Sequence, residues 1–206
     1  MSGQGSVIIY DTEFTTWPGA MACGWSQEPY HHRELVQLAA IKLQAGQGYR
    51  EAAQFSMIAQ PLINPKVSEF FSDLTGITQM QIDAEGIPAE QVLENFKTFC
   101  GESKTRIVSN GQDINILAET AGLQGWRLPI PNNQFGNIRP AMHQAIETEL
   151  GHAVIWENYP SGRAYELLDL NIQSDATHNA LHDVLSLAST CLELERRGHR
   201  ILPWSA

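Results

Sequence analysis

The chain has 206 residues, of which 43% are hydrophobic and 17% charged, and we expect residues 1–206 to form a single domain with a buried core. No apolar run approaches the roughly 20 residues needed to cross a bilayer, which argues against a membrane partner. The net charge of −10 argues against broad electrostatic adhesion to nucleic acid, so a phosphate substrate would have to be drawn in by local groups.

The N-terminus and the cysteines together predict a cytoplasmic protein. The first ten residues, MSGQGSVIIY, lack the basic and apolar segments of a secretory signal. The three cysteines, Cys23, Cys100 and Cys191, are odd in number, lie far apart and show none of the Cys or His spacings of a zinc site. We therefore expect a reducing compartment and no bound zinc.

The first half of the chain predicts three strands followed by helices. Apolar runs bounded by turn residues indicate strands at residues 6–14, 34–44 and 52–59. The stretch 17–33, between the first two strands, is rich in Pro, Gly and aromatic residues, and we interpret it as a functional loop. A turn and a short helix are predicted over residues 61–73, and a longer helix over 88–101 that ends at Gly101.

The second half alternates strand and helix and closes on a long helix. Residues 105–111 predict a short buried strand, and residues 113–123 predict a helix that Gly122 ends. Two more helices are predicted, at residues 140–150 and at about 177–197. Three successive strands, an alternating region and a closing helix together predict an α/β fold, an RNase H-like sandwich with a mixed five-stranded sheet flanked by helices.

Two carboxylates near the N-terminus, Asp11 and Glu13, are the strongest indication of a functional site. They lie two residues apart in a predicted strand, so their side chains should project from the same face of the sheet. Crowded carboxylates repel each other, so either one takes a proton or a divalent cation neutralises both. Structural roles are also open at this point: Asp11 as a turn cap, Glu13 as a solvated acid, and Asp113 as a helix N-cap.

Further candidates for the same site follow the pair along the chain, and the full series is Asp11-Thr12-Glu13, Asp113, His178 and Asp183. In this order the series resembles the three motifs of the DEDDh branch of the DnaQ-like 3′-5′ exonucleases. Residues 64–83, which contain the sequence LTGIT, are similar to the signature of the Eri-type exoribonuclease subgroup. The loop after the first motif is enlarged relative to the family pattern, which bears on substrate preference.

The resemblance implies a metal-dependent 3′-5′ exonuclease that releases nucleoside monophosphates from single-stranded ends, with RNA favoured over DNA. It implies two divalent cations, Mg²⁺ or Mn²⁺, held by Asp11, Glu13, Asp113 and Asp183. Asp11, Glu13 and Asp183 would hold the cation that orients the attacking water, and Asp11 and Asp113 would hold the second. Glu13 and His178 would be the catalytic residues, with His178 as the general base.

Two other functions stay open from the sequence. The substrate could be single-stranded DNA, or the chain could be a nucleic-acid-binding or regulatory module that kept the fold and lost turnover. The intact acids and His178 oppose the second alternative.

Residues beside the first motif are candidates for contacting the terminal nucleotide, namely Thr12, Phe14 and Thr15. Four side chains of loop 17–33 either stack on unpaired bases or pack in the core, and both interpretations are open: Trp17, Met21, Trp25 and Tyr30. Three cations are candidates for phosphate contacts: Arg33, Lys66 and Arg139. We interpret His182 as structural.

Overall fold

A six-stranded mixed sheet with helices packed on both faces forms the core of the protein. The computed structural model describes residues 6–44, 50–101, 105–172 and 179–203. The strands are β1 (Ser6–Phe14), β2 (Ser26–Gln27), β3 (Tyr30–His31), β4 (Leu35–Gln44), β5 (Arg50–Gln60), β6 (Ile87–Pro88), β7 (Arg106–Ser109) and β8 (Phe135–Asn137). The α-helices are α1 (Glu69–Thr75), α2 (Gln79–Glu85), α3 (Ala89–Cys100), α4 (Ile114–Leu123), α5 (Arg139–Leu150) and α6 (Ala180–Arg196). Short 3₁₀ helices lie at Asn132–Gln134, Trp156–Asn158 and Ser161–Leu168.

Strand β1 lies near the centre of the sheet. The strand order is β6-β5-β4-β1-β7-β8, in which β1 pairs antiparallel with β4 and parallel with β7. Strands β2 and β3 form a small separate hairpin within the loop between β1 and β4. Because β1 has strands on both edges and helices on both faces, the side chains from Val7 to Tyr10 are fully buried.

Alternate side chains of β1 enter two different cores, one on each face of the sheet. Odd-numbered residues such as Val7 and Ile9 pack with α5 and α6, whereas even-numbered residues such as Ile8 pack with α3 and α4. Asp11 and Glu13 continue the odd-numbered series. Their carboxylates therefore face the layer that contains α6.

A buried carboxylate closes the base of the long loop after β1. Glu34 is fully buried and accepts the backbone N–H groups of Leu62, Ile63 and Asn64 at 2.7–3.0 Å. The N–H of Glu34 donates to Thr15 Oγ1 at 3.0 Å, and the N–H of Thr15 donates to Glu34 O at 2.9 Å. These bonds join the two ends of the loop to each other and to the segment before α1.

The predicted α/β class and the mixed sheet with flanking helices are confirmed, but the sheet has six strands instead of five. The short strands β6 and β8 contain only two and three residues, which is too short for a recognisable alternation of polar and apolar side chains. Helix α2 was not predicted either. It begins with a capping box in which the side chains of Thr78 and Gln81 each bind the backbone of the other residue.

Two helix boundaries also differ from the prediction. Helix α4 passes through Gly122 and ends at Leu123, so Gly122 is an interior residue of this helix. Helix α6 begins at Ala180 because Asn179 is its N-cap and accepts the N–H of Leu181 through its side chain. Residues 177 and 178, where the prediction placed the start of this helix, lie outside the described residues.

The three cysteines are free thiols. Cys100 and Cys191 are buried in the two cores, and burial raises the pKa of the Cys100 thiol to about 12. Cys100 is therefore protonated at neutral pH and unreactive. Among the described helices, none has both the length and the apolar character needed to cross a membrane.

Candidate active site

Three carboxylates from the two ends of the chain converge on one point. Asp11 and Glu13 project from β1, and Asp183 lies in the first turn of α6. One carboxylate oxygen from each of the three lies within 4.8 Å of the others. Asp11 and Asp183 are buried, with 8% and 6% of their surfaces exposed. The sequence predicted that Asp11 and Glu13 project from one face of the sheet. In the structure both carboxylates lie on the face that packs against α6.

Asp113 lies in the same cleft, between β7 and α4. It occupies the N-cap position of α4, but its side chain makes no capping hydrogen bond. Its Oδ1 instead accepts the hydroxyl of Thr12 at 3.0 Å, which orients the carboxylate towards β1. A simple capping role, the structural alternative for Asp113, therefore does not describe this side chain.

Burial raises the pKa of all four carboxyl groups, and repulsion from neighbouring carboxylates raises the pKa of three of them further. The pKa values of Asp11 and Glu13 lie well above their usual range, first because of burial and then because of the neighbouring carboxylates. Burial and the charge of Asp113 raise the pKa of Asp183 to about 7. Burial also raises the pKa of Asp113, against the hydrogen bond from Thr12. The cluster therefore retains protons near neutral pH unless a cation neutralises it.

The donor set fits a hard divalent cation. Oδ1 of Asp183 is buried and has no hydrogen-bond partner among the described residues, so the carboxylate is not fully satisfied by the protein. None of the ion pairs formed by the described residues involves these four carboxylates. Clustered carboxylate oxygens that form no ion pair with the protein are the ligands that Mg²⁺ and Mn²⁺ prefer.

A glycine allows the backbone to approach Asp183 closely. Gly162 lies in the 3₁₀ helix Ser161–Leu168, and a Cβ added to it would overlap Oδ1 of Asp183. The carbonyl of Gly162 accepts a hydrogen bond from Nε2 of His182 at 3.0 Å. This hydrogen bond links the 3₁₀ helix to α6. His182 is also buried, which agrees with a structural role.

Gly162→Ala should lower the rate of the hydrolysis that the sequence resemblance implies by about tenfold or more, while the protein stays folded. The added methyl group forces the carboxylate of Asp183 out of its position, and displacement of a reacting group by about 1 Å costs on the order of 100-fold in rate. Rates and melting temperatures of the variant should be compared with those of Gly122→Ala, whose added Cβ meets no atom within 4 Å. Full activity of Gly162→Ala would show that Asp183 tolerates a shift and is not positioned for catalysis.

The carboxylates lie in an open cleft of about 430 Å³. Of the three residues predicted to contact the terminal nucleotide, Thr12 and Phe14 line this cleft, whereas Thr15 is not among its lining residues. Thr15 is buried, and its hydroxyl donates to the carbonyl of His32 while accepting the N–H of Glu34. The structure therefore gives Thr15 a role in closing the loop base.

His178, predicted as the general base, lies outside the described residues. The next residue, Asn179, caps α6, and the N–H of Ala180 donates to Oε1 of Gln37 at 3.0 Å. Gln37 pairs in register with Glu13 on the neighbouring strand. The start of α6 is therefore fixed to the sheet beside the carboxylate cluster.

Two of the three candidate phosphate-binding cations line the cleft. Arg33 forms a two-point ion pair with Glu119 of α4, in which Nε donates to Oε2 at 2.8 Å. Arg139 also lines the cleft, and its guanidinium donates to the backbone and side-chain oxygens of Asn110. Lys66 is exposed and does not line it. No sequence pattern indicated Glu119 or Asn110, since both act through contacts between distant segments.

Of the four loop residues considered for base stacking or core packing, two pack in the interior of the loop and two line the cleft. Trp17 has only 4% of its surface exposed and stacks on Tyr30 with ring centroids 5.2 Å apart, so this pair packs in the core of the loop. Met21 is 81% exposed and lines the cleft together with Trp25. Met21 and Trp25 are therefore available to a ligand.

The comparison with protein families gives one match over most of the chain. The model named RNase_T, described as an exonuclease, matches residues 8–190. Human ERI1 exoribonuclease 2 is 32% identical over 90 residues, which make up 44% of this chain and 12% of that protein. The chain thus spans only a small part of the length of that relative.

Solved structures share the fold over nearly the whole chain. The nuclease domain of 3′hExo, a DEDDh family member bound to rAMP, matches with a TM-score of 0.76 and 20% identity, over 100% of this chain and 98% of that one. The Escherichia coli ExoI–ssDNA complex matches with a TM-score of 0.66 and 15% identity, over 96% of this chain and 42% of that one. Together with the family match, these likenesses confirm the predicted resemblance to DEDDh exonucleases and the RNase H-like fold.

Proposed function

Because a match over residues 8–190 shows that the chain belongs to the exonuclease family, we propose that it is a metal-dependent 3′-5′ exonuclease acting on single-stranded nucleic acid. The products would be nucleoside monophosphates released one at a time from the 3′ end. The observation that carries the proposal is the convergence of Asp11, Glu13 and Asp183 within 4.8 Å, with Asp11 and Asp183 buried and none of the three in an ion pair among the described residues. Such a cluster is costly to maintain unless cations bind it.

The four carboxylates would divide the binding of two divalent cations between them. Asp11, Glu13 and Asp183 would hold one, and Asp11 would share the second with Asp113. When bound, such cations activate the attacking water and stabilise the leaving 3′ oxygen. Thr12 keeps Asp113 in position through its hydroxyl, at 3.0 Å from Oδ1. Glu13 would also accept a hydrogen bond from the attacking water, which is why we count it among the catalytic residues.

His178 would act as the general base that takes the proton of the attacking water. We expect His178→Ala to lower the hydrolysis rate by about 100- to 10,000-fold while Mn²⁺ binding stays unchanged, because a base contributes to proton transfer and not to metal coordination. His152→Ala is the matched control, since His152 is an exposed histidine. Equal turnover by His178→Ala and wild type would remove His178 from this role.

RNA is the favoured substrate, with single-stranded DNA as the alternative. The match to an exoribonuclease and to a nuclease domain bound to rAMP supports RNA. The match to an exonuclease bound to single-stranded DNA supports the alternative. A binding module without turnover is opposed by the intact carboxylate cluster. The net charge of −10 predicts that added salt weakens binding only modestly, since few phosphates would be neutralised by Lys or Arg.

The direct test uses RNA and DNA oligonucleotides of the same sequence, labelled at the 5′ end and incubated with Mn²⁺, with Mg²⁺ or with a chelator. The proposal predicts a ladder of products shortened from the 3′ end, with either metal and not with the chelator. Faster shortening of DNA would select the alternative substrate. If both oligonucleotides stay whole with both metals, the chain is not an exonuclease.

A further inference from the structure

A buried asparagine lies between the two segments that carry Asp113 and Asp183. Asn110 belongs to the turn of residues 110–113 that leads from β7 into α4, and only 7% of its surface is exposed. Its Nδ2 donates to Oγ of Ser161 at 2.9 Å, across 51 positions of sequence. Both residues line the cleft that holds the carboxylates. The Asn110–Ser161 bond therefore joins the turn before Asp113 to the 3₁₀ helix that begins at Ser161.

Ser161 is in turn fixed to the helix that carries Asp183. The hydroxyl of Ser186, three residues after Asp183 in α6, donates to the carbonyl of Ser161 at 2.7 Å. A hydrogen bond from the backbone of Gly162 acts to lower the pKa of Asp183, against the effect of burial. Because Ser161 and Gly162 are adjacent, a shift of Ser161 would move the backbone that contacts the Asp183 carboxylate.

A second contact of Asn110 holds the turn that leads to Asp113. The guanidinium of Arg139 donates to the side-chain oxygen of Asn110 at 3.3 Å and also to its backbone carbonyl. The same guanidinium lies against Gly111, where an added Cβ would be 2.9 Å from Nη2 of Arg139. The φ of Gly111 is +147°, a conformation that residues with side chains seldom adopt. Contacts with Arg139 and Ser161 therefore hold the turn, and with it the backbone of Asp113, in one position.

The two carboxylates that Asn110 connects repel each other. The charge of Asp113 is, after burial, a cause of the raised pKa of Asp183. Groups that repel each other move apart unless the backbone holds them. The amide of Asn110 suits this task because it donates to Ser161 and accepts from Arg139 at once, and it adds no charge to the cleft.

We propose that Asn110 is a positioning residue that fixes the separation of the Asp113 and Asp183 carboxylates, and with it the spacing of two divalent cations. This inference rests on the proposed exonuclease function, in which Asp113 and Asp183 hold different cations. Two-metal hydrolysis requires the cations to lie about 3.5–4 Å apart. Side chains that orient metal ligands without binding the metal change affinity or activity by about 10- to 100-fold when they are removed.

Isothermal titration of the metal-free protein with Mn²⁺ measures this effect without turnover. Asn110→Ala should weaken binding of the second ion about tenfold, because that ion has only Asp11 and Asp113 as carboxylate ligands. The first ion, which has three carboxylate ligands, should bind within about twofold of wild type. Asn132→Ala is the matched control, since Asn132 is an exposed asparagine, and it should bind both ions as wild type does. A melting temperature for each variant confirms that the compared proteins are folded.

Ser161→Ala tests the same hydrogen bond from its other end, and it replaces Asn110→Ala if that variant does not fold. It should weaken the second ion by a similar factor, and the double variant should show no further loss, because the bond is already broken. Ser161→Thr keeps the hydroxyl and should bind both ions as wild type does. Additive losses in the double variant would show that the two residues act separately, which would overturn the proposal.

Kinetics on labelled RNA at saturating Mn²⁺ distinguish a positioning residue from one that contacts the substrate. Asn110→Ala should lower kcat about tenfold or more and leave KM within about twofold of wild type, since the misplaced cation affects the reaction and not the binding of RNA. A raised KM with unchanged kcat and unchanged metal binding would make Asn110 a substrate contact and overturn the assignment.

The two measurements together separate this inference from the proposed function. If wild type and Asn110→Ala both bind two ions with equal affinity and shorten RNA at equal rates, the exonuclease function holds and the role of Asn110 is wrong. If wild type binds two ions, Asn110→Ala binds the second more weakly and neither shortens RNA, Asn110 positions the carboxylates and the exonuclease function is wrong. Absence of any binding by folded wild type would overturn both.

Discussion

Asp183→Asn should reduce the hydrolysis rate by about a thousandfold or more and yet leave the metal-free protein at least as stable as wild type. One oxygen of this carboxylate lies within 4.8 Å of carboxylate oxygens of Asp11 and Glu13. Loss of one ligand charge removes several kcal/mol of transition-state stabilisation, which corresponds to a factor of this size. The amide also removes a source of repulsion in the cluster, so unfolding should not become easier.

The combination of lost activity and retained stability is what separates a metal ligand from a structural acid. Asp73→Asn, in the exposed part of α1, is the control and should change neither property. Initial rates on labelled RNA and thermal unfolding in a chelator measure the two effects. A variant of Asp183 that kept near wild-type activity, or that unfolded many degrees earlier without metal, would show that this carboxylate supports the fold and not the reaction.

Raising the pH from about 5 to about 7.5 should destabilise the metal-free protein, and Mn²⁺ should reverse the effect. The pKa of Asp183 rises from 3.8 to about 7 in the folded protein, and those of Asp11 and Glu13 also lie well above their usual values. Between these values the folded state holds protons that the unfolded state has released, so stability falls as the pH increases. Each retained proton lowers the free energy of unfolding by about 1.4 kcal/mol per pH unit.

Groups outside the cluster have lowered pKa values, so their contributions to stability change with pH in the opposite direction. The ion pairs that lower the pKa of Glu193 to about 2 contribute stability above its ordinary value of 4.5, and that stability is lost only as the pH falls towards 2. Burial and Arg139 lower the pKa of His143, which favours folding as the pH rises. The relevant quantity is therefore the difference between wild type and Asp183→Asn, in which these contributions cancel.

Differential scanning calorimetry in a chelator, at about pH 5, 6 and 7.5, measures this difference. Wild type should lose several degrees more than the variant, since about 1 kcal/mol corresponds to roughly 2–4 °C for a domain of this size. Millimolar Mn²⁺ at about pH 7.5 should restore the melting temperature of wild type, because the ion binds only the folded cluster. Parallel curves for the two proteins would mean that Asp183 ionises normally.

The part of the site that follows from local geometry could be read from the sequence. Strand side chains alternate with a period of two, so Asp11 and Glu13 had to share a face. The order of the motifs predicted that Asp113 and Asp183 join the same site. Both line the cleft, Asp113 at the strand-to-helix junction and Asp183 in the final helix, where they were expected. The class of the fold followed from the order of long, strongly patterned elements.

The features that the sequence did not reveal depend on contacts between distant segments. The approach of Gly162 to Asp183 and the pair of Arg33 with Glu119 each join residues that no local pattern connects. Glutamate usually lies at the surface, but Glu34 is fully buried. Its carboxylate accepts backbone N–H groups from the segment before α1. The strands β6 and β8 exist because they pair with longer neighbours, which a two- or three-residue pattern cannot predict.

Isothermal titration of the metal-free protein with Mn²⁺ at about pH 7.5 tests most directly whether the four carboxylates form a metal centre. Wild type should bind two ions per chain with release of protons, and Asp183→Asn should bind far more weakly while Asp73→Asn binds as wild type does. Absence of any binding by folded wild type, or equal binding by Asp183→Asn, would contradict the account.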